Sequence, residues 1–579
     1  MGSRSPPTVF QRIETISAPS DARGRSKAVA LMASGTMVSR VLGFARTALL
    51  AVAIGSTTAV ADIFEKANVI PTIIFMLLAG GIFNVVLVPQ LIKASQAADR
   101  GSAYTSKLIT LTVVVMALAT ALLTLLAGPI IQALSSGWTP QQVALGTAFA
   151  YWCMPQVFFY GVYAVVGQAL NAHGRFGAYM WAPVLNNVVQ IGVIGAFIFL
   201  FGAYRADGQQ FETWSSQQTW LLAGGSTLGI ALQALVLFIP LMRTGLHIRP
   251  DFGWRGMGLR HVGKIAAWTL ASMTVGNIAS LIYGRIVSGA TAARAQLPDG
   301  GAGVPGEYAL NTSQLITVLP HSIFALSLAT VLFNELSSHF AKKERDLIAP
   351  ALARGLKTTA VPILFATVAF IVLAGPVGRI FGGTSANAVE SGAAIGQLLL
   401  LTTLGLPFKS VHFFLIRVFY AEEDTKTPML IQTSIAVIGL IVAFIMAFTV
   451  PPLQIAFAMA LLYGVTNVLS AIIAHFLVVR RYGDYGVASV VDTYLRIGWI
   501  AVTSGVVGAG VLYLLGGFTH GFAWDSILTA IVSILVVGLV MAVVYIVLLK
   551  RSAVPELDEF LGPLSRRIPN LARASRARR

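Results

Sequence analysis

Arg40 and Arg46 stand in Ser39-Arg40-Val41-Leu42-Gly43-Phe44-Ala45-Arg46, inside an apolar segment running from about Lys27 to Ile54. That length crosses a hydrocarbon layer of ~30 Å at ~1.5 Å per residue. Arg40 then lies ~20 Å along the helix, too deep to reach water easily at either surface. A guanidinium there costs a few kcal/mol or more unless it faces a wet cavity or a partner. Arginine stays charged and binds phosphate through a planar fork, so the chemistry expected is capture of a phosphate-like anion. The alternative is a structural arginine bonded to a neighbouring helix's carbonyls. Arg46 lies nearer the far end and can snorkel. The two diverge by roughly 120° and ~9 Å on a straight helix. They grip one phosphate only if the helix bends, for which Gly43 is the expected place. Otherwise one binds substrate and the other pairs with an acid.

Asp62, at the start of the second apolar segment, is the candidate acid, closing a gate against Arg46. A loop acid or a helix N-cap is the plainer alternative. Glu65 and Lys66 read as a solvated interfacial pair, with Glu65 a further gating candidate. Lys409 follows Pro407 by two residues and falls ~18 Å of helix from the next turn, at mid-membrane. With His412 it supplies positive charge to a substrate site. The alternative is a lysine that reaches water or pairs with Glu335. Gln314, Asn311 and Asn277 offer neutral hydrogen bonds, either to substrate or between helices.

The elements that hold these residues are membrane spans. Of 579 residues, 56% are hydrophobic and 11% charged, with mean hydropathy +0.77. A soluble domain carries about 25% charged residues, so the chain is an all-α polytopic membrane protein. About fourteen spans are expected, near 27–54, 60–93, 105–134, 140–171, 177–202, 217–242, 261–289, 310–341, 347–374, 386–420, 427–449, 453–479, 488–516 and 525–550. The net charge of +17 does not imply nucleic acid, because basic residues crowd alternate loops and the two ends. Lys93, Arg100, Lys107, Arg175, Arg243, Arg249, Lys342 and Arg480 mark one side, while Ser135-Ser136-Gly137-Trp138 and its counterparts carry almost none. The positive-inside rule makes both termini cytoplasmic.

Pro71-Thr72-Ile73-Ile74-Phe75-Met76-Leu77 and Pro320-His321-Ser322-Ile323-Phe324-Ala325-Leu326 share Pro-x-x-Ile-Phe-x-Leu, six spans apart. Pro155 and Pro407 correspond at the same interval. Two pseudo-symmetric six-helix lobes, residues 27–245 and 257–482, with two extra helices at 486–551, are therefore expected. Such repeats place a substrate site near the midplane between the halves. Residues 1–26 read as a disordered basic cytoplasmic arm without the pattern of a signal peptide. Residues 552–579 read as a basic cytoplasmic tail, with six arginines in its last fifteen residues. Anionic membrane lipid is its expected partner, or it approaches a further soluble domain. The stretches 203–216 and 291–308 read as flexible surface loops on the outer side. The single Cys153 reads as a packed thiol. No phosphate-binding loop, metal-ligand cluster or nucleophile motif is present, so an enzyme, a cofactor and a metal are not expected.

The opening motif around Arg40 and Arg46, followed by Asp62 and Pro71, resembles the MurJ/MviN family of lipid II flippases. Leu170-Asn171-Ala172-His173-Gly174-Arg175-Phe176, with Pro183 and Asn186, is similar to that family's fourth-to-fifth helix junction. Arg417 to Pro428, reading RVFYAEEDTKTP, is similar to its tenth-to-eleventh junction. The resemblance implies the fold of the multidrug/oligosaccharidyl-lipid/polysaccharide exporter superfamily, with two lobes around a central cationic cavity and a C-terminal helix pair forming a lipid-tail groove. It implies translocation of undecaprenyl-diphosphate-linked disaccharide pentapeptide across the bacterial cytoplasmic membrane for peptidoglycan synthesis. Arg40, Arg46 and Asp62 fall on positions the family uses in its cavity. Three family arginines are replaced by Phe75, Met76 and Leu315, and an acidic position becomes Gly80, before Gly81.

Moving one charge through 100 mV is worth ~2.3 kcal/mol, so a dianionic diphosphate leaving a negative interior gains roughly 4–5 kcal/mol. A potential-driven alternating-access cycle is the expected mechanism. A related polysaccharide or drug exporter, and a non-transporting scaffold that recruits cell-wall synthesis or division proteins, are the alternatives.

Overall fold

The structure is a computed structural model that describes residues 22–77, 88–205, 213–254, 259–297, 301–518 and 520–565. The described chain is helices joined by turns, without a β-strand. Thirteen of its segments, from Ser34–Ile54 to Ile527–Arg551, are long and apolar enough to cross a membrane. They coincide with thirteen of the fourteen expected spans. The remaining one, the second, corresponds to helices Ala59–Met76 and Val88–Ser95 on either side of 78–87. Its first part carries Asp62, Glu65 and Lys66 and is too polar to qualify by composition. Most of the N-terminal arm, the arginine-rich residues 566–579, and Gly80 and Gly81 lie outside the described residues. From Ala22 onward the chain is already helical, five residues before the expected start of the first span.

In the N-terminal half the candidate residues are carried or supported by α1 (Ala22–Ile54), α2 (Ala59–Met76), α3 (Ser102–Leu125) and α4 (Phe176–Phe201). α1 packs along α4 and passes through Gly43 as one continuous helix. The C-terminal half contributes α5 (Leu259–Arg294), α6 (Glu307–Pro320), α7 (Leu326–Lys342), α8 (Ile348–Val372), α9 (Ala388–Thr403), α10 (Leu406–Ala421) and α11 (Ile455–Tyr482). The last two long helices, α12 (Val487–Leu514) and α13 (Ile527–Arg551), pack on each other and α12 on α8. Each half buries its own apolar clusters. A third cluster, around Ala53, Phe64 and Phe149, takes in Tyr308 from the other half.

The repeat is visible in where the helices break. The fourth span divides between Cys153 and Gln156, and its counterpart between Thr403 and Leu406, beside Pro155 and Pro407. A second pair went unnoticed in the sequence: Leu126-Ala127-Gly128-Pro129 and Leu373-Ala374-Gly375-Pro376. Leu126 (φ −93°, ψ 9°) and Leu373 (φ −92°, ψ 7°) kink their helices with the same backbone geometry. Proline cannot donate to the preceding turn, so each copy ends one helix and starts a short second one. In α6, Pro320 is followed by a wide π-helical turn over His321–Ala325 before α7 begins.

The connection between the halves is strapped down at its start. Hydroxyls at Ser102, Ser106 and Thr110, four residues apart on one face of α3, bond the backbone of 247–251. Arg249 N–H donates to Ser106 Oγ (3.2 Å), and Asp251 N–H to Thr110 Oγ1 (3.0 Å).

Candidate functional site

Asp62 sits in the first turn of α2, behind Thr58, whose hydroxyl caps the helix by accepting from Ala61 N–H. Asp62 is thus neither cap nor loop acid; it is fully buried. Its partner is Arg294 and not Arg46: the Arg294 guanidinium pairs with Asp62 Oδ2. Thr291 Oγ1 donates to Oδ2 (2.7 Å) and Tyr308 N–H to Oδ1 (2.9 Å). The described parts of 291–308 are therefore no flexible surface loop. They include buried Thr291, Arg294, Glu307 and Tyr308, and Arg294 also holds the Val304 carbonyl (2.8 Å). Gly306 belongs here because any side chain would run into the Asp62 carboxylate.

One turn further along α2, Lys66 pairs with Glu307 at the start of α6, both buried. Glu65 accepts from Asn311 Nδ2 (3.0 Å). The solvated interfacial pair expected from Glu65 and Lys66 is thus two separate contacts with the opposite half. Burying a charge is unfavourable unless it is paired and hydrogen-bonded, which explains why α6 and the end of α5 are drawn onto α2. Thr57 and Ser391 hydroxyls meet at 2.7 Å, Tyr308 Oη donates to Thr47 O (3.2 Å), and Trp138 Nε1–H donates to Ser288 O (3.1 Å). These contacts lie at the end of the molecule whose loops are poor in lysine and arginine. They form a seam between the halves.

Immediately inside the seam lies a cavity of about 240 Å³, bounded by α2, α5, α6 and α11. Its wall contains Gln314, together with Asn311, Ser280, Tyr283, Tyr463, Thr466 and the paired Glu307. Arg40 and Arg46 are not in that wall. Arg40 reaches across to the C-terminal half and bonds the Ser322 hydroxyl, on the π-turn after Pro320. Arg46 turns to its own half and donates to Gln190 Oε1 (3.2 Å) on α4. The continuous α1 thus sends the two guanidinia to different neighbours. Gly43 faces Asn187, whose amide bonds Ser39 (2.9 Å), and so serves the contact between α1 and α4.

Lys409 lies on α10, half-buried, and donates to Tyr463 Oη (2.7 Å) with its ammonium 5.2 Å from that ring's centre. Glu335 is engaged instead by Arg354. His412 is half-buried one turn beyond Lys409 and has no hydrogen-bond partner among the described residues. His321 bonds Ser410 (3.0 Å), and Asn277 folds back on Met273 O (2.8 Å). Phe75 stacks on Tyr160 at 4.6 Å, so that position belongs to the N-terminal half's packing. Met76 and Leu315 are exposed. Arg294 and Glu307 were missed in the sequence. The available signal was a lone arginine and a lone glutamate flanking a glycine-rich stretch otherwise poor in basic residues.

A helical membrane protein with two repeated halves, a seam at one end and unpaired intramembrane cations beyond it has the build of a membrane transporter. Its fold is that of a solved inward-facing multidrug MATE family transporter of the MOP superfamily (TM-score 0.60, 16% identity, 79% of this chain and 98% of that one). The sequence model of the family described as "Lipid II flippase MurJ" matches residues 50–551, and the chain belongs to that family. It is similar to the probable lipid II flippase MurJ of Vibrio cholerae, at 26% identity over 417 residues, 69% of this chain and 73% of that protein. It also resembles the solved structure of a lipid II flippase MurJ in an inward closed conformation (TM-score 0.67, 19% identity, 90% of this chain and 100% of that one). The chain is accordingly a multi-pass protein of the bacterial cytoplasmic membrane.

Proposed function

We propose that this chain moves lipid II from the inner to the outer leaflet by alternating access, with the seam as its outer gate. One observation carries the reading. Arg40 and Lys409 sit deep in membrane helices and meet only neutral hydroxyls, with no carboxylate at ion-pair distance among the described residues. Charges held in the membrane without a counter-ion mark substrate pathways, and a diphosphate is the counter-ion the family name suggests. Arg46 extends the same positive field, His412 offers a ring nitrogen one turn from Lys409, and Gly43 lies where α1 meets Asn187 of α4. Asp62 and Glu65, on α2, hold the gate through Arg294 and Asn311. The outward step carries negative charge down the membrane potential, worth ~2.3 kcal/mol per charge per 100 mV. The empty cationic site returns with the field as well.

The deciding experiment is a leaflet-accessibility assay for lipid II with this chain alone in vesicles, repeated with Arg40→Ala. Transport by the native chain and background exposure with the variant are expected. Equal exposure with and without the protein removes the flippase reading and leaves the scaffold. Dissipating the potential at constant pH gradient should hold the cavity in one state, read as cysteine accessibility at Gln314→Cys.

A further inference from the structure

The cavity next to the seam is chemically wrong for the anion. Its only charged wall residue is Glu307, already matched by Lys66, and Glu65 hangs just behind Asn311. A diphosphate placed there would face carboxylates. Among aliphatic side chains that make up much of the wall, such as Ile73, Leu310 and Leu462, it offers amides, hydroxyls and two tyrosine rings: Gln314, Asn311, Ser280, Thr466, Tyr283 and Tyr463. The Gln314 amide and the Ser280 hydroxyl have no hydrogen-bond partner in the described protein. An amide both donates and accepts, and a hydroxyl does the same. An aromatic face takes the apolar side of a ring whose edge is polar. At about 240 Å³ the space is below the ~300–1,000 Å³ of clefts that hold drug-sized ligands, so it admits one ring and not a whole headgroup. Lys409 touches this wall through Tyr463 Oη. A cation therefore stands at the rim of a neutral, sugar-like pocket.

We propose that this cavity is a saccharide subsite: it takes one sugar ring of the lipid headgroup, with the adjoining phosphate against Lys409. This rests on the lipid-diphosphate reading above and divides its labour. Arg40 and Lys409 recognise the anion common to every polyprenyl diphosphate. Gln314 and Ser280 decide whether a sugar is attached. Ser280 is exposed and Gln314 half-buried in the empty cavity; a bound ring that covers them without bonding them leaves their polar atoms unpaired, and so a ligand lacking those groups is disfavoured.

The test uses the full chain in nanodiscs with three probes: undecaprenyl diphosphate carrying no sugar, one amino sugar or the disaccharide. Affinities come from competition against a fluorescent lipid diphosphate. The native chain should bind the two sugar-bearing lipids at least tenfold more tightly than the bare one. Gln314→Leu, and separately Ser280→Ala, should lower that preference to threefold or less while leaving the bare lipid's affinity unchanged. Lys409→Met should weaken all three lipids by the same factor. A native chain that binds all three equally overturns the subsite and leaves the flippase reading standing. A native chain that binds none of them overturns both. Loss of affinity for the bare lipid in Gln314→Leu, by as much as for the others, also overturns the subsite. Gln314→Asn, which keeps the amide, should retain part of the preference and guards against a simple folding defect.

Discussion

The seam and the unpaired cations of the membrane helices treat charge in opposite ways. At the seam Asp62 meets Arg294 and Lys66 meets Glu307, both pairs buried and both bridging the halves. Arg40 and Lys409, by contrast, meet a serine and a tyrosine hydroxyl. A matched buried pair is costly to break and offers nothing to a ligand. An unmatched cation costs the resting protein energy and offers much to an anion. On the function proposed above, the two regions divide holding from binding.

Breaking the binding side should have the largest effect. Lys409→Met is expected to abolish complementation of a flippase-depleted strain; full growth at normal protein level would place Lys409 outside the substrate path. Breaking the holding side should chiefly affect stability. Asp62→Asn or Glu307→Gln leaves an uncompensated buried cation, at a cost of about 3–5 kcal/mol by thermal unfolding in detergent. Exchanging Asp62 and Arg294 in one double variant should recover most of that loss. A double variant as unstable as the singles would show that the Thr291 and Tyr308 contacts, and not the ion pair, hold the seam. Thr57→Val tests a neutral contact of the same seam, and a loss of about 1 kcal/mol is expected. It should also raise labelling of a cysteine at Ser391 by an impermeant thiol reagent, since buried Cys153 gives little background.

The smallest effect lies away from both regions, in the turn before helix Lys426–Thr449. There Asp424 accepts from Lys426 N–H, Thr427 N–H and Thr427 Oγ1, and from Arg481 (2.5 Å). Burial alone would raise its carboxyl, but the bonds from Thr427 and Arg481 outweigh burial and hold it below the ordinary carboxylate range. A depressed acid stabilises the fold above its unfolded pKa of about 4. That contribution fades as pH falls through the lower folded value. Asp424→Asn should cost about 0.5–1 kcal/mol at neutral pH after solvent screening, and the gap to the native chain should close in acid. An unchanged gap at pH 3 would assign the loss to geometry and not charge.

Hydropathy made the spans legible because each is a long apolar run bounded by polar turns, and the proline correspondences revealed the repeat. Arg40 and Lys409 were legible too, since a charge inside such a run stands out without knowledge of its neighbours. The seam was not. Asp62 could be seen as a gate, but its partner lies 232 residues away in sequence, in a stretch whose glycines and polarity look like an exposed loop. Glu65 and Lys66 look solvated for the same reason: proximity to a turn in sequence says nothing about what folds over it. The Leu-Ala-Gly-Pro kinks were present in the letters, yet four common residues acquire meaning only once two backbones are seen to break alike.

The hydroxyl face of α3 also sets a limit on motion. With the chain fastened as far as Asp251, only eight Cα-to-Cα steps remain before Leu259 opens α5. At ~3.3–3.6 Å each they reach at most about 30 Å. Ser106 and Thr110 therefore act as the anchor of a short leash, capping how far the basic ends of the two halves can swing apart during a cycle.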